Sequence, residues 1–150
     1  MSRVQLALNV SNLEEAIDFY SKFFKAEPAK VRAGYANFAI EEPPLKLVLI
    51  ENAGTAGSLN HLGVEVFSTG EVMDAISYLA EVGLSTRVED ETTCCYAKQD
   101  KVWVDGADGV PWEVYTVLSD SATANGVAGD ERCCTSDSTT PLGASVANCC

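Results

Sequence analysis

Hydrophobic and polar residues alternate over residues 4–10, and the same alternation returns over residues 60–66. Strict alternation over this length is typical of a β-strand with one buried face. The two segments also match position by position, apolar with apolar and small with small, so that Gln5 aligns with His61. His61 is the only histidine of the chain. A strand that occurs twice predicts a chain made of two related modules.

A helical pattern follows each of the two matching strands. Ser11-x-x-Glu14 and Ser68-x-x-Glu71 are capping-box sequences, and apolar residues recur at helical spacing after both. We predict that the first helix ends near Lys25 and that Gly83 ends the second. Further strands are predicted at residues 29–33, 35–40 and 45–51 in the first half, and at 84–89, 96–99, 102–105 and 112–118 in the second.

This order of elements predicts an α+β fold. Two βαβββ modules, residues 1–52 and 59–118, are expected to pair their sheets into a barrel-like cup, with a glycine-containing linker between them. The alignment of the halves extends to the last strands, where Lys46 aligns with Glu113. Two related modules favour a site enclosed between them at a pseudo-twofold axis. Residues 119–150 have no aromatic residue and no periodicity, which predicts a disordered tail.

The overall composition limits the classes of function. The chain has 150 residues, of which 47% are apolar, and a formal net charge of −12. This acidity argues against binding to nucleic acid, whose phosphates would be repelled. No apolar run is long enough to span a membrane, and the amino terminus leads directly into a strand rather than a signal peptide. We therefore expect a soluble cytoplasmic protein, either a monomer or a homodimer.

The six cysteines occur only as adjacent pairs, Cys94-Cys95, Cys133-Cys134 and Cys149-Cys150. A disulfide framework needs cysteines spaced to close loops, and a disulfide between sequence neighbours strains the peptide unit between them. Two neighbouring thiolates can instead both contact one soft, thiophilic atom. Because neighbouring side chains on a regular strand point to opposite faces, shared binding by Cys94 and Cys95 requires a loop or bulge at residues 93–96. The alternative is an ordinary pair of small residues, one buried and one exposed.

The repeat also brings candidate metal ligands to one place. Gln5 and His61 begin the two matching strands, and Glu113 lies in the last strand of the second module. Their donor groups are close in type to the facial triad of non-haem Fe(II) oxygenases, which leaves positions open for O2 and substrate. Lys46 is expected at the fourth corner, where a protonated lysine cannot bind a metal. Lys101 is a candidate for a further charged group near the site.

The chain resembles the vicinal oxygen chelate superfamily, which includes glyoxalase I, extradiol dioxygenases, and bleomycin- and fosfomycin-resistance proteins. A narrower resemblance rests on five motifs: VQLALNV at 4–10, GYANFAI at 34–40, LNHLGVEV at 59–66, TTCC at 92–95 and QDKVWV at 99–104. These motifs are similar to those of the cadmium-induced protein and organoarsenical C–As lyase family. The similarity covers nearly all of residues 1–118.

The resemblance implies an Fe(II)-dependent dioxygenase that uses O2 to cleave the C–As bond of trivalent organoarsenicals. Methylarsenite and trivalent aromatic arsenicals would be substrates, and inorganic arsenite would be released, which serves detoxification. The resemblance further implies that Gln5, His61 and Glu113 bind iron, and that Cys94 and Cys95 bind the arsenical. A lysine at Lys46 departs from the four-ligand pattern of glyoxalase I and argues against isomerase activity.

Two alternatives remain at this point. The first is a non-catalytic stress protein that uses its cysteine pairs to bind Cd(II) or As(III). The second is a glyoxalase-like isomerase or a thiol transferase of the antibiotic-resistance kind. The second alternative needs a fourth ligand or another metal, and it assigns no role to Cys94 and Cys95.

Overall fold

The strand predicted at residues 4–10 forms β1, Arg3–Val10, near the centre of the folded chain. The computed structural model describes residues 2–107 and 109–123. The first module continues with α1 (Leu13–Phe24), β2 (Lys30–Arg32), β3 (Tyr35–Ile40) and β4 (Leu45–Glu51), and a short 3-10 helix (Ala53–Thr55) follows. The second module contains β5 (Leu59–Glu65), α2 (Thr69–Glu81), β6 (Thr86–Cys94), β7 (Ala97–Asp105) and β8 (Pro111–Asp120). Both modules therefore have the predicted βαβββ order.

The strands of the described residues form one mixed sheet in the order β2-β3-β4-β1-β5-β8-β7-β6. Strands β1 and β5 pair antiparallel at its centre, and each is flanked in parallel by the last strand of its own module. Leu6 pairs with Leu62, and these residues are as far apart in sequence as Gln5 and His61, 56 positions. The pseudo-twofold axis therefore passes between Leu6 and Leu62. The sheet curls around it into a half-barrel, which confirms the predicted α+β cup.

Alternation along the strands separates an apolar face from a polar one. Leu6 and Leu8 pack with Phe38 and Leu47 against α1, and Val102 packs against α2 in a second cluster. Full burial of one such side chain stabilises the fold by about 1.5–3 kcal/mol. The clusters under the two helices therefore support strands whose opposite face can carry buried polar groups.

The predicted N-cap is correct for one of the two α-helices and wrong for the other. The second capping box is confirmed, because Ser68 Oγ accepts from the backbone N–H of Glu71 at 3.3 Å. The first was predicted one residue too early. Asn12, rather than Ser11, caps α1 by accepting from the backbone N–H of Glu15 at 3.1 Å. Both residue types are good N-caps, so the sequence pattern alone did not distinguish them.

The predicted strands over residues 84–105 need correction. The two strands expected at 96–99 and 102–105 are one continuous strand, β7, and the strand expected at 84–89 extends as far as Cys94. The turn between β6 and β7 consists of Cys95 and Tyr96, whose φ angles are 52° and 61°. Two successive left-handed residues are typical of a type I′ hairpin turn. Such turns usually contain Asn or Gly, and this one contains neither, so the sequence did not predict it.

The carboxyl-terminal strand is longer than predicted. Ser119 and Asp120 were assigned to the tail, but they continue β8 and pair with Lys98 and Ala97. Residues 124–150 of the predicted disordered tail, with Cys133-Cys134 and Cys149-Cys150, lie outside the described residues. Over the described part of the chain, neither helix has the length and apolar character needed to cross a membrane.

Candidate active site

The side chains of Gln5, His61 and Glu113 meet inside the cup, where they are 3%, 0% and 2% exposed. Nε2 of Gln5 lies 3.0 Å from Nε2 of His61 and 2.7 Å from Oε1 of Glu113. Nε2 of His61 lies 3.3 Å from the same Oε1. Gly63 makes room for this approach, because a Cβ atom there would lie only 3.0 Å from Cγ of Glu113. The structure thus brings together the three residues that the repeat predicted at one locus.

The spacing of this triad suits a divalent metal ion. In an octahedral site with bonds of about 2.1 Å, adjacent ligand atoms lie about 3.0 Å apart, and the separations here are 2.7 to 3.3 Å. Among the described residues, no three His, Cys, Asp or Glu side chains converge, so the amide of Gln5 is needed to complete the set. Oε1, the atom of Gln5 that can bind a metal, faces Tyr115. Half a turn about the terminal bond would exchange Oε1 with Nε2, and the phenol oxygen of Tyr115 would then accept from the NH2 group.

Tyr115 holds the other end of this amide. Its phenol donates a hydrogen bond to Oε1 of Gln5, and burial raises the pKa of Tyr115 well above its usual value of 10. The phenol therefore stays protonated and remains a donor. The sequence analysis missed Tyr115, although its position two residues after Glu113 places both side chains on the same face of β8.

Lys101 lies on the opposite side of Glu113 from Gln5. Its Nζ is 3.2 Å from Oε2 of Glu113, and the two side chains are 1% and 2% exposed. Burial alone would raise the pKa of Glu113, but the charge and the hydrogen bond of Lys101 oppose that change, and the pKa lies well below its usual value. Glu113 is therefore a carboxylate at neutral pH, with Oε2 bound by Lys101 and Oε1 directed towards His61 and Gln5.

Lys46 does not occupy the fourth corner of the site. The ladders pair Gln5 with Lys46 but Gly63 with Glu113, so the pseudo-twofold axis relates Glu113 to Val48 rather than to Lys46. The sequence alignment of the last strands was therefore wrong by two residues, a shift that preserves the strand face and so escapes detection by alternation. Nζ of Lys46 instead binds Oε1 of Glu65 at 3.0 Å.

The pair Cys94-Cys95 lies at the tip of the β6–β7 hairpin, and its Sγ atoms are 3.4 Å apart. The left-handed φ of Cys95 interrupts strand geometry, as shared binding by both sulfurs requires. Two sulfurs at this separation can both lie about 2.3 Å from one bridging atom, the usual metal–thiolate distance. Both cysteines pack in one cluster with Ala7 and Val48. Because Ala7 pairs with His61, the cluster that contains both cysteines lies next to the triad.

A cavity of about 200 Å³ opens beside Cys95. Its wall includes Gln99, whose Oε1 is buried and has no hydrogen-bond partner within the described residues. Its wall also carries the charged group formed by Arg3, Lys46 and Glu65. Burial lowers the pKa of Lys46, and the carboxylate of Glu65 opposes that change. The cavity therefore offers a polar space next to the cysteine pair, and the sequence analysis identified none of its wall except Lys46 and Cys95.

Known proteins resemble this chain at two levels. A "Trivalent organoarsenical cleaving enzyme" of Thermomonospora curvata is 59% identical over 152 aligned positions, covering 100% of both chains. A "Cadmium-induced protein CadI" of Mycobacterium tuberculosis is 67% identical over 123 residues, covering 82% of this chain and 81% of the relative. At the level of fold, an extradiol ring-cleaving dioxygenase from B. fuscum has a TM-score of 0.57 at 18% identity, covering 79% of this chain and 33% of the dioxygenase.

The family model named "Glyoxalase/Bleomycin resistance protein/Dioxygenase superfamily" matches residues 3–114. This span runs from the first residue of β1 to the residue after Glu113 in β8, so it contains the complete triad and the cysteine pair. The match covers most of the chain, and it agrees with the paired βαβββ modules and with the resemblance drawn from the sequence. The chain belongs to the glyoxalase, bleomycin resistance protein and dioxygenase superfamily.

Proposed function

We propose that this protein is an enzyme that cleaves the C–As bond of trivalent organoarsenicals, such as methylarsenite, and releases inorganic arsenite in a reaction that requires Fe(II) and O2. The observation that carries the proposal is the buried Gln5–His61–Glu113 triad next to a pair of sulfurs 3.4 Å apart. The printed name of a relative that is 59% identical over its full length supports the substrate class.

Gln5, His61 and Glu113 would hold the metal. When bound, Fe(II) would supply the ability to activate O2, which protein side chains alone lack. The residues of this chain set the shape of the site around it. Lys101 donates a hydrogen bond to Oε2 of Glu113. Oε1, the oxygen that faces Gln5 and His61, would therefore be the carboxylate atom that binds the metal. Val48 closes the fourth corner with an apolar side chain, so a four-ligand site of the isomerase type does not form.

Cys94 and Cys95 would bind the arsenic atom. Soft As(III) prefers soft thiolate ligands, whereas the harder nitrogen and oxygen atoms of the triad suit iron. Oε1 of Gln99 lies buried in the adjoining cavity wall, where it can accept a hydrogen bond from a hydroxyl group on the arsenical. The contribution of the protein is therefore to hold the arsenical in a fixed orientation next to the metal site, which is catalysis by positioning.

Aerobic and anaerobic incubation with methylarsenite, followed by separation of the arsenic species, tests the proposal directly. Protein loaded with Fe(II) should produce arsenite in air and none without O2. His61→Ala and the double variant Cys94→Ser with Cys95→Ser should both lose turnover. Arsenite formation under both atmospheres would refute the O2-dependent reaction, and full activity of the double cysteine variant would refute the assignment of the arsenical site.

A second candidate function is sequestration of Cd(II) or As(III) without turnover. The relative that is 67% identical is named for its induction by cadmium, and the cysteine pair is suited to either ion. Sequestration predicts stoichiometric binding of arsenic without a change in its speciation. It also predicts that His61→Ala binds as much arsenic as the native protein. The same incubation therefore separates the two functions.

A further inference from the structure

A chain of hydrogen bonds runs from the linker between the modules to the ring of His61. We propose that Ser58, Asn9 and Asn60 are positioning residues that hold His61 in its Nδ1–H tautomer and thereby present a bare Nε2 to the metal. The inference deepens the proposed function, because it rests on His61 as a metal ligand. The direction of each hydrogen bond from the linker to His61 follows from which groups can donate and which can only accept.

The series of hydrogen bonds starts at a backbone carbonyl, a group that can only accept a hydrogen bond. The hydroxyl of Ser58 lies 2.6 Å from the backbone carbonyl oxygen of Thr55. A carbonyl oxygen has no hydrogen to give, so Ser58 donates its single hydrogen there. Oγ of Ser58 must then accept from its next neighbour, the side-chain amide of Asn9, at 2.9 Å. The atom of Asn9 that faces Ser58 is therefore the NH2 group.

The same logic continues to the imidazole. With its NH2 group used on Ser58, Asn9 presents Oδ1 to Asn60, whose NH2 group donates to it at 3.0 Å. Asn60 in turn presents its own Oδ1 to Nδ1 of His61 at 2.8 Å. An amide oxygen only accepts, so Nδ1 of His61 carries the hydrogen.

The opposite side of the ring agrees with the same tautomer. The carboxylate of Glu113 accepts only, so the atom of Gln5 that lies 2.7 Å from Oε1 is the NH2 group. The second hydrogen of that group is available to Nε2 of His61, 3.0 Å away, if Nε2 carries no hydrogen. The contacts with Gln5 and Glu113 are therefore compatible with the Nδ1–H tautomer that the hydrogen bonds from Thr55 assign.

The hydrogen bond between Nδ1 of His61 and Asn60 disfavours the other tautomer, in which Nε2 carries the hydrogen. Nε2 of His61 lies 3.3 Å from Oε1 of Glu113, and hydrogen bonds to a carboxylate are roughly twice as strong as those between neutral groups. Without an acceptor at Nδ1, the hydrogen would move to Nε2 and bond to Glu113, and the lone pair that a metal needs would be lost. The acceptor on Asn60 prevents this exchange.

The linker is fixed to β1 at the point where this chain of hydrogen bonds begins. The backbone N–H of Asn9 donates to the carbonyl oxygen of Ser58 at 3.0 Å, and the N–H of Gly57 donates to the carbonyl oxygen of Asn9 at 2.8 Å. Asn9 itself is only 4% exposed. The linker therefore does more than join the modules, because it sets the proton position on a residue of the second module.

The single histidine makes the proposal directly testable. Long-range 1H–15N correlation spectra of uniformly labelled, metal-free protein contain imidazole signals from His61 alone. We expect the Nδ1–H pattern in the native protein and the Nε2–H pattern in Asn60→Ala. Asn60→Asp keeps an acceptor at the same place and should retain the Nδ1–H pattern. Asn52→Ala is the matched control, because Asn52 borders the same linker but makes no side-chain capping hydrogen bond.

A second measurement shows the consequence for metal binding. Binding of Co(II), followed by its visible absorbance, should weaken about 10- to 100-fold in Asn60→Ala, as is typical when a partner that orients a ligating histidine is lost. Asn52→Ala should bind Co(II) as the native protein does, and Ser58→Ala, which is remote from the ring, should show a smaller loss than Asn60→Ala.

The two measurements separate the inference from the function on which it rests. An Nε2–H pattern in the native protein, or an unchanged pattern in Asn60→Ala, would overturn the proposed role of this chain of hydrogen bonds. Native protein that shows the Nδ1–H pattern but binds no Co(II) would instead refute His61 as a metal ligand. In that case the proposed function fails while the tautomer assignment stands.

Discussion

Replacement of Lys101 by methionine removes the cation that faces Glu113 and changes the volume of the side chain little. Nζ of Lys101 lies 3.2 Å from Oε2 of Glu113, with both side chains almost fully buried. The substitution therefore leaves a buried carboxylate without its countercharge, with the neutral NH2 group of Gln5 2.7 Å from Oε1. We expect a large loss of stability at neutral pH.

The buried ion pair sets the magnitude. Removal of one partner from such a pair typically costs about 3–5 kcal/mol. The lowered pKa of Glu113 has the same sign, and the charge of Lys101 is its largest lowering cause. We therefore expect the free energy of unfolding of Lys101→Met to fall by about 3 kcal/mol at pH 7.

The pH dependence of this loss follows from its sign. A depressed pKa in the folded state means that Glu113 stabilises the native protein above pH 4.5, and that this stabilisation disappears as the pH falls towards 2. In Lys101→Met this stabilisation by Glu113 is absent at every pH. The difference in stability between the two proteins should therefore be largest near pH 7 and should shrink as the pH falls below about 4.5.

Urea unfolding of both proteins at several pH values measures this difference. Lys98→Met is the matched control, because Lys98 lies on the same strand but pairs with Glu91 at the surface, where the side chains are 39% and 70% exposed. Exposed ion pairs contribute roughly 0–1 kcal/mol. Equal losses in Lys101→Met and Lys98→Met, or a loss for Lys101→Met that is constant from pH 7 to pH 3.5, would refute the argument.

Three further substitutions test other parts of the site. Gly63→Ala places a Cβ 3.0 Å from Cγ of Glu113, so we expect Co(II) binding at least 10-fold weaker, whereas Gly54→Ala, which meets no atom closer than 3.6 Å, should bind normally; equal affinities would contradict the tight fit. Tyr115→Phe leaves Oε1 of Gln5 without its donor and should cost about 1–3 kcal/mol of unfolding free energy. The exposed control Tyr78→Phe should change stability by less than about 0.5 kcal/mol, and a similarly small effect at Tyr115 would show that the phenol does not hold the amide. Gln99→Met should raise KM for methylarsenite several-fold with kcat little changed, because Gln99 is proposed to orient the substrate; a fall in kcat at constant KM would assign it to the chemical step instead.

The central strands, both helices and the relation of Gln5 to His61 could be predicted from the sequence because they depend on local patterns. Alternation identifies strand faces regardless of what packs against them, and the duplication of β1 as β5 relates Gln5 to His61 without any knowledge of their contacts. The register of β1 against β5 preserves that relation, with Leu6 opposite Leu62. Cys94 and Cys95 stood out because adjacent cysteines have a chemistry that does not depend on the fold.

The tertiary structure decided what depends on register, turn geometry and long-range partners. A shift of two residues in the last strands keeps the strand face, so only the ladders could show that Val48, and not Lys46, corresponds to Glu113. The left-handed turn that aligns the two sulfurs uses Cys95 and Tyr96, residues without turn propensity of their own. The hydrogen-bond partner of Nδ1 of His61 is Asn60, which is in turn linked to Asn9 of the first module and to Ser58 of the linker. Hydrogen bonds over such sequence distances leave no periodic signal, because the pattern of a strand records which face is buried and not which group it meets there.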